Sequence, residues 1–232
     1  MKKPKIEINK EKVEFKEENN TKNQLKKFWN FVWNDNSWQS WVVSLLLAFI
    51  FIKFIFFPLL ALILGSSMPL VVVESCSMYH GEAGFFRNLF QTQSALDAWW
   101  DEKGTWYLTN TDLTKQDTEN WPIAGGFEKS DIIILTSPKN LEIGDTIVFD
   151  GQQRYPIIHR IIKISEDPSG RKIYSTKGDN NNGQNPSETQ INQEQIIGKA
   201  SLIIPKLGWI KLIFYEPFRQ PQDRGTCNMM SS

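Results

Sequence analysis

From Trp41 to Leu64 the chain is almost wholly Val, Leu, Ile, Phe and Ala, broken only by Ser44, Lys53 and Pro58. Such a run meets the roughly 20-residue requirement for a helix that crosses a bilayer. It divides the sequence into residues 1–40, an anchor over 41–66, and the remainder. A cleaved signal peptide has a shorter apolar core, about 7 to 15 residues, before a small-residue cleavage site. Gly65-Ser66-Ser67 would suit such a site, but the length of the run favours an uncleaved anchor.

Charge on the two flanks sets the expected orientation. Residues 1–40 carry nine lysines against six acids, whereas no Lys or Arg follows the apolar run until Arg87. Lysine excess marks the cytoplasmic side, so the N-terminus is expected in the cytoplasm and the rest outside it. Lys53 costs about 2.5 to 3.5 kcal/mol at a membrane centre. That cost predicts a slide of the span toward Phe54–Val73 with Lys53 snorkelling inward, or else an acid on another membrane helix as partner. In the shifted register Trp29, Trp33, Trp38 and Trp41 form an aromatic belt at the interface.

The 26 basic and 26 acidic residues cancel, so the balance gives no argument for nucleic acid. Cys76 and Cys227 are the only cysteines. Far apart and without companions, they read as two free thiols rather than a disulfide framework or a metal site. Residues 1 to about 24 are rich in Lys, Glu and Asn, the composition of a solvated tail.

Beyond the anchor, short β-branched runs alternate with turn residues: Leu70 to Glu74, Asp131 to Leu135, Thr146 to Asp150, Ile157 to Ile164, Lys172 to Thr176 and Ile196 to Ile204. This pattern predicts a mainly β fold, an antiparallel domain over 67–217. An aromatic insertion at about 81–128, with Trp99, Trp100, Trp106 and Trp121 plus Phe85, Phe86 and Phe90, interrupts it. Apolar spacing from Phe85 to Asp101 predicts a short helix there. Its tryptophans suit either core filling or contact with headgroups or a substrate chain. Leu207 to Tyr215 is amphipathic and short, fit to lie on a membrane face, and residues 218–232 are expected to be disordered.

Three segments could carry chemistry. Ser75-Cys76-Ser77-Met78 follows the anchor closely and offers a nucleophile, which needs a base to take its proton and a donor for the oxyanion. Of the two histidines, His80 is too local to Ser77, whereas His159 sits in a β-branched strand from which the fold could bring it across. Lys177-Gly178-Asp179-Asn180 is a good turn in its own right. It also puts a carboxylate, Asp179, where it could orient an imidazole.

The order and wording of these segments resemble type I signal peptidases. The resemblance rests on Ser75-Cys76-Ser77-Met78 after an anchor, Gly144-Asp145-Thr146-Ile147-Val148-Phe149 followed by Ile158-His159-Arg160, then Thr176-Lys177-Gly178-Asp179-Asn180-Asn181, and spans about residues 70 to 205 without the insertion. A histidine at 159, where bacterial members place lysine, makes it similar to the archaeal and endoplasmic-reticulum branch, and the lysine-rich, cysteine-poor composition looks archaeal. That branch implies Ser77 as nucleophile, His159 as base, Asp179 as the acid that orients it, and Ser75 or the Ser77 N–H on the oxyanion. It implies a signal-peptidase-like β domain behind a single transmembrane helix, and water as the only cosubstrate, with no cofactor or metal. The implied partners are signal-peptide-bearing precursors, bound as an added strand, the lipid bilayer and a secretion translocon.

Three positions depart from the pattern. Cys76 stands where glycine is frequent, and His80 where proline is. Asn185 stands where many relatives carry a second acid, which leaves Asp179 to orient the base. A non-catalytic, peptidase-like membrane subunit and an enzyme using Lys177 or Lys163 as base are the alternative readings.

Overall fold

The computed structural model describes residues 6–81, 93–221 and 224–227. The chain divides into two units, Met1–Leu59 and Leu60–Ser232.

In the first unit the expected solvated tail is instead helical, α1 spanning Ile6–Asn34. Asp35 and Ser37 punctuate its end. Asp35 accepts from the Ser37 N–H, and the Ser37 hydroxyl accepts from the Ser40 N–H at 3.3 Å, capping α2 (Trp38–Phe51). Ser40 and Ser44 donate back to the carbonyls of Phe31 and Val32, which ties α2 to the end of α1. The helix continues through a wide π turn at Ile52–Phe56, where the Phe57 N–H reaches back to Ile52 O, into α3 (Phe57–Leu64). Pro58, with no N–H to give Phe54, lies just past that turn. Trp38–Leu64 as a whole is long and apolar enough to cross a membrane, slightly earlier in the sequence than the 41–66 expected.

In the second unit, α3 ends at Gly65 (φ +65°), a left-handed stop whose N–H bonds Ala61 O. A seven-stranded antiparallel sheet follows. Its strands are β1 (Leu70–Val72), β2 (Ile132–Thr136), β3 (Thr146–Phe149), β4 (Ile157–Glu166), β5 (Lys172–Lys177), β6 (Ile191–Asn192) and β7 (Ile196–Ile204). The spatial order is β1-β2-β7-β3-β4-β5-β6. All six expected strands are present, and β6 is a two-residue addition. Alternation along the strands puts apolar residues on both faces. Val148 joins Val73, Met78, Phe127 and Leu135, while Ile147 and Phe149 join Ile161, Tyr174 and Ile191.

The aromatic insertion forms α4 (Gln93–Asn110) and α5 (Lys115–Glu119). Phe85, Phe86, Phe90 and the start of the helix expected from Phe85 lie outside the described residues. Trp99, Tyr107 and Trp121 pack together against Ile162 of β4, so in these positions the aromatics fill a core. A short helix, α6 (Trp209–Leu212), follows the sheet.

The expected free thiols are joined instead. Cys76 and Cys227 form a disulfide with Cα atoms 5.4 Å apart across 151 residues of sequence. Nor are the described residues of the C-terminal segment loose: Arg219 bonds Glu74, and Cys227 is buried. Two isolated cysteines carry no sequence signal for this pairing. It depends on the C-terminal segment returning to the bend after β1 in which Cys76 lies.

Candidate active site

β4 carries the site in both directions. Arg160 pairs with Lys177 across β4 and β5, so the next residue along, Gly178, arrives opposite His159. A Cβ on Gly178 would stand 2.8 Å from His159 Nε2 and 2.6 Å from Asn181 Nδ2, so only glycine fits without displacement. The following turn holds the nucleophile segment. Asn180 N–H donates to Ser77 O at 2.7 Å, Asn180 Nδ2 donates to Cys76 O at 3.0 Å, and Asp179 N–H points at Met78 Sδ. Behind Met78, Gly126 (φ +62°) lets the chain approach so closely that a Cβ there would lie 2.2 Å from Met78 O. Ser77 and His159 are thus drawn to the same Gly178–Asn181 turn.

Among the described residues no hydrogen bond joins Ser77 to His159. Ser77 Oγ, half-buried, bonds Ser75 Oγ at 3.2 Å. His159 Nδ1 bonds Glu188 Oε1, which the sequence reading missed. Glu188 closes a one-turn 3₁₀ helix, Pro186–Glu188, in which its other oxygen accepts from the Asn185 N–H at 2.7 Å. Asn185-Pro186-Ser187-Glu188 is a capping-box pattern, and that was the available signal. Burial raises the Glu188 carboxyl, but the hydrogen bond and charge of His159 and the Asn185 N–H outweigh it and hold it below its ordinary value. An ionised carboxylate only accepts, so Nδ1 carries a proton toward Glu188 and Nε2 lies on the side of Gly178.

Asp179 is not the acid beside His159. Successive strand residues face opposite sides, and Asp179 belongs with Arg160 rather than with its neighbour. Arg160 donates to both of its oxygens from Nε and to Oδ2 from Nη2 at 2.7 Å, and His80 Nε2 meets Oδ2 at 2.7 Å. Burial pushes the Asp179 carboxyl up, yet Arg160 and His80 win and hold it well below the carboxylate range. The network extends into the insertion. Trp99 stacks on His80 at 4.3 Å and donates to Asp179 O, and the carbonyls of Pro122 and Ile123 accept from Arg160. His80, which stands where proline is frequent in the family, is a buried partner of Asp179.

Neither lysine proposed as a base is placed for that work. Lys163 is exposed. Lys177 is buried on the Arg160 side, donating to Gly178 O at 3.0 Å and lying 4.9 Å from the ring centroids of Trp106 and Tyr107. Burial pushes its ammonium down to about 8, with Asp179 opposing. Among the described residues no group of His, Cys, Asp and Glu is arranged to hold a metal ion.

An antiparallel sheet that follows an apolar helix in sequence, with a carboxylate-bound histidine and a serine segment both meeting the turn that begins at Gly178, has the arrangement of a membrane-anchored peptidase of the signal-peptidase type. No protein-family model matches the chain. Individual proteins do. It is 30% identical over 137 residues to the signal peptidase complex catalytic subunit SEC11 of Lachancea thermotolerans, covering 55% of this chain and 80% of that protein. The SEC11 of Eremothecium gossypii is 28% identical over 140 residues, 56% of this chain and 82% of its own length. Human SEC11C is 27% identical over 128 residues, 52% and 65% respectively. The chain belongs to the family of signal peptidase complex catalytic subunits.

Proposed function

We propose that this chain is a serine endopeptidase that removes N-terminal signal peptides from secretory precursors, with Ser77 as nucleophile, His159 as base and Glu188 as the group that orients it. The observation that carries the proposal is the His159–Glu188 contact, which orients the imidazole with Nδ1 on the carboxylate and Nε2 beside the turn that holds Ser77. Substrate binding turns Ser77 Oγ away from Ser75 toward Nε2, since such contacts are often loose before substrate arrives. Oγ attacks the scissile carbonyl carbon as its proton passes to His159. The Ser75 hydroxyl and the Ser77 N–H receive the oxyanion, a contribution of about 2.7 to 4 kcal/mol per donor. His159 then protonates the leaving amine, and water, deprotonated by the same nitrogen, hydrolyses the acyl-enzyme.

Asp179 is assigned a supporting part, holding Arg160 and His80 and thereby the turn after β5. The catalytic domain is assigned to the outer side of a cell membrane, or the equivalent lumenal side, with the N-terminus cytoplasmic. The lysines before the span favour that orientation, and the disulfide favours an oxidising compartment. Exposed Ile210, Phe214 and Phe218 give the domain an edge suited to lipid. The precursor is read as an extended peptide paired beside a strand, with its apolar signal segment left in the bilayer.

The test uses the purified full chain in detergent and a signal-bearing precursor, with product termini read by mass spectrometry. Cleavage by the wild type and its loss in Ser77→Ala and His159→Ala are expected. Equal processing by all three would discard the proposal.

A further inference from the structure

The described C-terminal residues meet the nucleophile segment at two alternate positions. At the first, Arg219 Nη1 donates to Glu74 O at 2.7 Å and Nη2 to Glu74 Oε2 at 2.9 Å, while Lys211 Nζ donates to Glu74 Oε1 at 2.8 Å. At the second, Cys227 is covalently bound to Cys76. Glu74 and Cys76 flank Ser75, and Cys76 precedes Ser77. Cys227 is itself seated, only 5% exposed, with the Lys129 N–H on its sulfur and the Lys129 ammonium paired to Glu216. The segment is therefore anchored to the turn before β2 independently of its grip on residues 74 and 76. A backbone hydrogen bond, two ion pairs and a covalent bond fix a stretch of four residues that contains the nucleophile. Few positions on a peptidase need their geometry held more closely, because displacement by about 1 Å can cost about 100-fold in rate.

We infer that the C-terminal segment is a strap that positions Ser77 through Arg219 and the Cys76–Cys227 disulfide, so that reducing this bond slows cleavage without unfolding the sheet. The inference rests on Ser77 being the nucleophile. The reductant is a dithiol. One of its thiolates attacks the sulfur of Cys76, the half-buried partner, and Cys227 leaves as a thiolate and takes a proton. The second thiol of the reductant resolves the mixed disulfide, releasing the Cys76 thiol and an oxidised, cyclic reductant. Two electrons and two protons pass to the protein in all.

The experiment follows the full chain in detergent by hydrogen–deuterium exchange and by cleavage of a precursor, before and after dithiothreitol and after reoxidation. Exchange should rise at residues 74–79 while β3, β4 and β5 stay protected, and kcat should fall at least fivefold with KM changed less than twofold. Reoxidation should restore both. Arg219→Ala should raise exchange at 74–79 in the oxidised protein, and the Cys76→Ala/Cys227→Ala variant should ignore the reductant. Unchanged exchange at 74–79 would overturn the strap. So would exchange rising through the whole sheet, which would make the bond a general staple, or a loosened segment with kcat intact. An oxidised wild type that never cleaves would instead refute the proposed function, leaving the exchange data to decide the strap.

Discussion

His159 and Glu188 are bonded through the imidazole Nδ1 and a carboxylate oxygen, although 29 residues separate them in sequence. The carboxylate is itself held by the Asn185 N–H, so the imidazole is oriented by a group with no freedom to turn. Nitrogen-15 NMR of ring-labelled protein should report the neutral form of the His159 imidazole as the Nδ1–H tautomer, and that signature should be lost in Glu188→Gln. An Nε2–H tautomer in the wild type would contradict the assigned roles.

Gly178 closes the other side of the same imidazole. In Gly178→Ala the new methyl group falls within 3 Å of both His159 Nε2 and Asn181 Nδ2, and one of them must move. The expected result is a fall of about tenfold or more in kcat/KM. Steady-state kinetics on the folded variant checks it.

Asp179 and Arg160 bind each other with no exposure on either side chain. Asp179→Asn leaves a buried guanidinium without its counter-charge, and a loss of about 3 to 5 kcal/mol in stability is expected. The same pair sets an acid limit. The folded Asp179 carboxyl titrates below its unfolded value, so its stabilisation is full above about pH 4 and is lost as pH falls toward the folded value. Glu188 adds to it with the same sign. Urea titrations between pH 3 and 6 should show stability falling with acid, with a shallower slope in Asp179→Asn.

Lys177 works in the opposite range. Its folded ammonium titrates near 8, below its ordinary 10.5. Below pH 8 both states are charged and the folded one bears the full cost of burial. Between about 8 and 10.5 the unfolded state holds the extra proton, so stability rises with pH. Lys177→Met should flatten that rise, as read by denaturation at pH 7.5, 8.5 and 9.5.

Much of the sheet could be read from the sequence because its strands are β-branched runs cut by Gly, Pro, Asn and Asp. Thr146–Phe149 and Ile196–Ile204 are found where the pattern puts them. Ser77 and His159 were visible as a reactive pair of residue types. The acid bonded to His159 was not, because Asp179 and Glu188 lie on turns whose facing depends on β4 alternation, and Arg160 binds Asp179. The disulfide was hidden for a related reason: the contact is made by a returning chain end. The N-terminal helix was missed because its Lys-, Glu- and Asn-rich first half reads as a tail by composition, although Leu25, Phe28, Trp29 and Val32 fall at helical spacing.

The central assignment is which carboxylate serves His159, and comparison of kcat in folded Glu188→Gln and Asp179→Asn measures this most directly. Glu188→Gln should lose about 10⁴ in kcat, the scale of losing the orienting acid in a serine protease, with the fold intact. Folded Asp179→Asn should retain a substantial part of wild-type kcat. The reverse, near-normal turnover in Glu188→Gln and abolished turnover in folded Asp179→Asn, would contradict it.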